Sequence, residues 1–117
     1  MLTLPNSVRV LLATEPADMR KGVDGLSRIV EASLGGDIYS GTLFVFLSKR
    51  RDRVKVLTWD AGGFVVYYKR LEAGRFKLPH ITSATSSITL DVAQLTMLLR
   101  GIDLRGVRKP VLWEPAR

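Results

Sequence analysis

Five cations, Lys49, Arg50, Arg51, Arg53 and Lys55, fall within seven residues of one another, and four more, Lys69, Arg70, Arg75 and Lys77, fall within nine. Ammonium and guanidinium groups at this density neutralise phosphates and release counterions from a nucleic-acid backbone. Tyr67, Tyr68 and Phe76 are interleaved with the second group and offer flat faces to bases or riboses. The whole chain has the same bias: 18 Lys and Arg against 11 Asp and Glu give a net charge of +7. A charged hairpin also serves as a solvated turn that blocks edge pairing. Two such clusters on one sheet edge favour phosphate contact, so the nucleic-acid-binding set is Lys49, Arg50, Arg51, Arg53, Lys55, Tyr68, Lys69, Arg70, Arg75 and Lys77.

Reactive chemistry finds little to work with. The chain has no cysteine, which removes disulfides, thiolate nucleophiles and zinc-thiolate sites together. Its single histidine, His80, lies in a polar stretch with no nucleophile beside it. Neither GxxxxGK[ST] nor GxGxxG occurs, and Gly62 and Gly63 read as hairpin-turn residues rather than a phosphate cradle. Asp18 with Asp24 is split across a helix, and Asp52 with Asp60 sits at opposite ends of a strand, whereas two-metal chemistry needs its carboxylates at one point. The expectation is no catalytic residue, no metal and no cofactor.

The cations need elements to hold them. Residues 42–77 contain three apolar runs separated by SKRRD and DAGG, the pattern of an antiparallel meander. A first hairpin centred on Arg50 sets Phe46 opposite Val54 and Phe44 opposite Val56. A second, centred between Ala61 and Gly62, sets Val56 opposite Tyr67, Lys55 opposite Tyr68 and Arg53 opposite Arg70. Like charges face to face call for an anion over them, and a slip of one residue would exchange the two faces.

Upstream, residues 7–13 alternate as a strand with Arg9 turned outward. Thr14, Pro16 and Asp18 then have the make-up of a helix start, and Met19, Val23, Leu26, Ile29, Val30 and Leu34 make one apolar stripe over 18–34. Gly22 and Gly25 weaken that helix by roughly 1 kcal/mol each, and mark either close approach or simple tolerance. Gly35 and Gly36 end it. Residues 78–89, rich in Ser and Thr and free of charge after His80, suggest an exposed loop with room for a short strand. Asp91 and Gln94 form a capping-box variant for a second helix over 91–100, whose stripe is Val92, Leu95, Leu98, Leu99 and Ile102, with Gly101 beyond its end.

The expected fold class is α+β: a single domain at 1–103, an antiparallel β-meander with an N-terminal strand and two packed helices, and a basic C-terminal tail at 104–117. No run approaches the roughly 18 apolar residues of a membrane span. With no cysteine, the expected compartment is the cytoplasm.

The blocks DMRKGVDGL (18–26), SGTLFVF (40–46), KRRDRVKVLTWD (49–60), YYKRLEAGRF (67–76) and QLTMLLRGID (94–103) together resemble the TnpB-type accessory protein, the second reading frame of bacterial insertion sequences of the sixty-six family. The resemblance implies a small protein needed for transposition that does not itself perform strand transfer. Its implied partners are the much larger transposase of the same element and another small accessory protein of helix-turn-helix type; the DNA of the element ends is the partner that the basic clusters themselves suggest. The family's basic and aromatic blocks fall on Arg20, Lys21, Lys49, Arg50, Arg53, Lys55, Trp59, Tyr68, Lys69, Arg70, Arg75 and Phe76. Leu78 and Leu104 stand where the family often has tryptophan, and Ala73 where it often has a charge. The resemblance brings no catalytic or ligand residue.

Two readings stay open. In one, the basic hairpins hold element-end DNA. In the other, the chain is a protein-interaction module with little DNA contact, docking the transposase through Arg20, Lys21, Gly22 and Gly25 or through Trp113, a tryptophan and arginine composition usual at interface hot spots.

Overall fold

The structure, a computed structural model, describes residues 7–78, 85–101 and 115–116. His80, Ile102, Leu104 and Trp113 lie outside the described residues, as does all of the 104–117 tail except Pro115 and Ala116.

Five strands form one mixed sheet: β1 (Val10–Ala13), β2 (Leu43–Leu47), β3 (Arg53–Asp60), β4 (Gly63–Arg70) and β5 (Ser87–Leu90), in the order β4-β3-β2-β1-β5. The meander β2-β3-β4 is antiparallel as its turns dictate, and β5 adds antiparallel to β1. Only β1 and β2 run parallel, joined by the crossover that carries helix α1 (Val23–Ile29). The sheet is therefore antiparallel only in part.

Helices cover both faces of the sheet. On one, Leu26 and Val30 pack on Leu11, Ala13, Phe44, Phe46 and Leu57. On the other, Leu95, Leu98 and Leu99 of α2 (Val92–Leu99) pack on Val10, Leu12, Val45, Val54 and Val56, with Phe76 joining them. This explains why all four residues of β1 are buried, where alternation predicted one outward face. Arg9 is exposed, just before the strand begins. Each large side chain so buried contributes roughly 1.5–3 kcal/mol relative to exposure.

Helix α1 starts later than the 18–34 expected. The Asp18 carboxylate accepts from the Arg20 backbone N–H at 2.9 Å and from its guanidinium, and this local closure diverts the chain so that Gly22, in an extended conformation, becomes the N-cap. The helix continues as a π-helical turn over Val30–Leu34 and stops at Gly35, whose φ of +61° lets Gly36 N–H donate to the Val30 carbonyl at 3.3 Å. The close-approach glycine of this region is Gly36, where a Cβ would stand 2.9 Å from Phe44 Cε1. A Cβ at Gly22 would meet open space, and one at Gly25 only the flexible stem of Lys21, so no strand presses on either. Helix α2 has the full capping box, with Asp91 accepting from Gln94 N–H at 2.7 Å and Gln94 returning the bond at 2.9 Å.

The first hairpin is one residue out of the expected register. Phe44 faces Leu57 and Phe46 faces Lys55, because Arg51 takes a left-handed conformation (φ 60°) and moves the turn centre past Arg50. The two phenylalanines therefore lie on the α1 side, away from Val54 and Val56. The second hairpin matches expectation at every pair, Arg53 with Arg70 and Lys55 with Tyr68 included. Its two central residues, Ala61 (φ 46°) and Gly62 (φ 87°), make the type I′ geometry that suits twisted strands.

Candidate nucleic-acid interface

Three backbone segments meet at one end of the sheet. The connection between β1 and α1 runs alongside β2, where Ala17 N–H donates to the Leu47 carbonyl at 2.9 Å. The β2-β3 turn is closed by Ser48: its N–H donates to Arg53 O at 3.0 Å, its hydroxyl donates to Asp52 Oδ1 at 3.1 Å and accepts from Arg53 N–H at 3.2 Å. The segment after β4 returns to this turn, with Leu71 N–H on Asp52 O and Phe76 N–H on Arg51 O, both at 2.7 Å. Lys49, Arg50 and Arg51 are held exposed at the tip.

Between the first two segments lies an open cleft of about 390 Å³, lined by Arg20, Lys49, Arg50 and Arg53 together with Asp18 and Asp52. Arg53, Lys55, Tyr68 and Arg70 extend it along the α1 face of the β3-β4 hairpin, since cross-strand partners share a face. Lys55 Nζ donates to the Lys21 carbonyl at 2.8 Å and lies 5.5 Å from the centroid of the Tyr68 ring, which is 48% exposed.

Two cations here have carboxylate partners. Arg20 pairs with Asp18 at 2.8 Å and Arg70 with Glu72 at 2.9 Å. The Arg20 hydrogen bonds hold the Asp18 carboxyl at about 2, below its ordinary 3.8, and each guanidinium is raised in turn by its acid. Both pairs are exposed, where solvent screens the attraction between the charges.

The remaining expected contacts scatter. Lys69 emerges on the α2 face and donates to the Leu99 carbonyl at 2.6 Å. Arg51 lines a second, smaller cleft with Thr14, Glu15, Lys49 and Leu78. Arg75 and Lys77 are exposed on either side of Phe76. Phe76 itself, expected as a stacking surface, is 1% exposed and belongs to the core, where it anchors the returning segment. Tyr67 is 38% exposed on the side opposite Tyr68.

Sequence reasoning missed one aromatic group at the far end of the sheet. Trp59 and Phe64 are cross-strand partners and Tyr39 packs on both. The placement of Trp59 and Phe64, one step outside the Asp60–Gly63 pair, was the available signal; the contribution of Tyr39 has no local one.

The fold and this cleft define a class: a small α+β protein, helices on both faces of a mixed sheet, with Arg20, Lys49, Arg50 and Arg53 lining one cleft at its end. Known proteins narrow this further. The family model described as IS66 Orf2 like protein matches residues 8–109, and the chain belongs to that family, the accessory proteins of a group of insertion sequences. Among curated proteins it is similar to two from Sinorhizobium fredii. The uncharacterized protein y4jC is 35% identical over 112 residues, covering 95% of this chain and 94% of that protein. The uncharacterized protein y4hO is 36% identical over 117 residues, covering 100% and 98%. No solved structure matches the chain. No helix among the described residues is long and apolar enough to cross a membrane.

Proposed function

We propose that the protein is a non-catalytic cytoplasmic factor for transposition that holds the phosphate backbone of element-end DNA while the transposase of the same element performs the chemistry. The observation that carries this reading is the convergence of Arg20 with Lys49, Arg50 and Arg53 on one open cleft, although 28 positions separate Arg20 from the nearest of the others, Lys49. Lys55 and Arg70 continue the cationic track, and Tyr68 supplies an exposed ring for a base or ribose. Phosphate contacts of this type fix position and carry no sequence information.

Duplex binding measured against salt tests the reading. Neutralising about five phosphates gives a slope of log K on log salt of roughly −4 to −5. A slope near zero, or strand cleavage by the purified protein alone, contradicts it.

A further inference from the structure

At the end of β3 and β4 remote from the cationic cleft, Tyr39, Trp59 and Phe64 form a three-ring cluster. Ring centroids are 5.1 Å apart for Tyr39 and Trp59, 5.7 Å for Tyr39 and Phe64, and 5.0 Å for Trp59 and Phe64. Tyr39 is 59% exposed, the most exposed large apolar side chain described, and the other two are half-buried. The rings are held in place before any partner arrives. Trp59 and Phe64 are fixed across the hairpin, and Tyr39 N–H donates to Asp37 Oδ1 at 2.9 Å in the turn closed by Ser40 N–H on Asp37 O.

The charge at this end leans opposite to that of the cleft, with one exposed cation beside it, Arg9, whose carbonyl accepts from Leu43 N–H at 2.9 Å at the start of β2. No Lys or Arg occurs between Arg28 and Lys49 or between Lys55 and Lys69, and the charged residues of these stretches are Glu31, Asp37 and Asp60, all exposed. Eight residues of β3 place the two ends about 25 Å apart at 3.3 Å per residue. A nucleic-acid backbone would meet carboxylates here. An arginine or lysine carried among apolar side chains would meet ring faces suited to cation–π contact, acids of complementary sign, and apolar area to bury.

We propose that the Tyr39–Trp59–Phe64 cluster, flanked by Asp37 and Asp60, is a protein-docking site for a basic, apolar-flanked segment of the transposase, separate from the phosphate cleft. The inference rests on the accessory-factor reading for the identity of the partner, and on the cluster's chemistry for the location.

The test measures binding of the full chain to the purified transposase and, separately, to duplex DNA. Tyr39→Ala removes a mostly exposed ring and is expected to weaken transposase binding about tenfold, with duplex affinity unchanged. The double variant Asp37→Asn/Asp60→Asn retains the amide oxygen facing Tyr39 N–H while removing both charges, and should weaken transposase binding severalfold at low salt. Arg50→Gln/Arg53→Gln should do the reverse, losing duplex affinity and keeping the transposase. Four outcomes overturn the proposal: no transposase binding by the unaltered protein, no effect of either aromatic-end variant, an equal loss of duplex affinity in Tyr39→Ala, or a self-association of this chain that Tyr39→Ala abolishes in place of transposase binding. Loss of the DNA reading alone would appear as a flat salt response with the transposase results intact.

Discussion

The Lys69 ammonium donates to the carbonyl of Leu99 at 2.6 Å, tying edge strand β4 to the last turn of α2. That carbonyl belongs to the helix end whose acceptors lack intrahelical donors and whose dipole favours a cation. Lys69→Met, which keeps the aliphatic stem, should lower stability by about 1–2 kcal/mol, read as a lower urea midpoint. Its salt slope for duplex binding should match the unaltered protein, because this amine faces away from the cleft.

Arg50 and Arg53 should behave oppositely. They line the cleft and are exposed, so Arg50→Gln/Arg53→Gln should leave stability within about 0.5 kcal/mol. The slope of log K against log salt should become shallower by about 2, one unit for each phosphate lost. Titrations at several salt concentrations decide it.

Asp18 provides a test in pH. Its carboxyl titrates at about 2 in the native protein against an ordinary 3.8. A depressed carboxylate means the unfolded chain binds more protons across this interval, so the stabilisation is complete above roughly pH 4 and disappears as pH falls through about 2. Arg20→Gln removes the principal cause, and the Asp18 carboxyl should move up toward 3.8 in an NMR titration. An unmoved resonance would break the assignment of the shift to Arg20.

Ala61 occupies a left-handed conformation at φ 46° in the β3-β4 turn, beside Gly62 at φ 87°. An ordinary side chain is disfavoured there by about 1–2 kcal/mol. Ala61→Asn should raise the thermal midpoint, with a gain of about 0.5–1 kcal/mol, since Asn-Gly is the preferred pair for this turn. Gly62→Ala should lower it.

Local chemistry made part of this fold legible and left the rest hidden. The Asp91 and Gln94 spacing located α2 because a capping box is complete within four residues. The DAGG turn fixed the β3-β4 register for the same reason, and with it the Arg53–Arg70 and Lys55–Tyr68 pairs. SKRRD has no residue that announces a left-handed backbone, so the Arg51 conformation and the one-residue slip it causes were invisible. The late start of α1 follows from the Asp18–Arg20 bonds, a competition between side chain and helix that periodicity does not register. The parallel pairing of β1 with β2 and the burial of Phe76 depend on contacts between distant parts of the chain. At the site, the cations were found as a set, but their division between two faces was not.

The bond from Phe76 N–H to the Arg51 carbonyl makes the guanidinium tip lean on an interior ring. On the proposed reading, a geneticist selecting for lost transposition would therefore recover Phe76 among the hits and be inclined to draw it against a nucleobase. Its phenotype would be that of a tent whose peg has been pulled, the fingers slack and every one of them still charged.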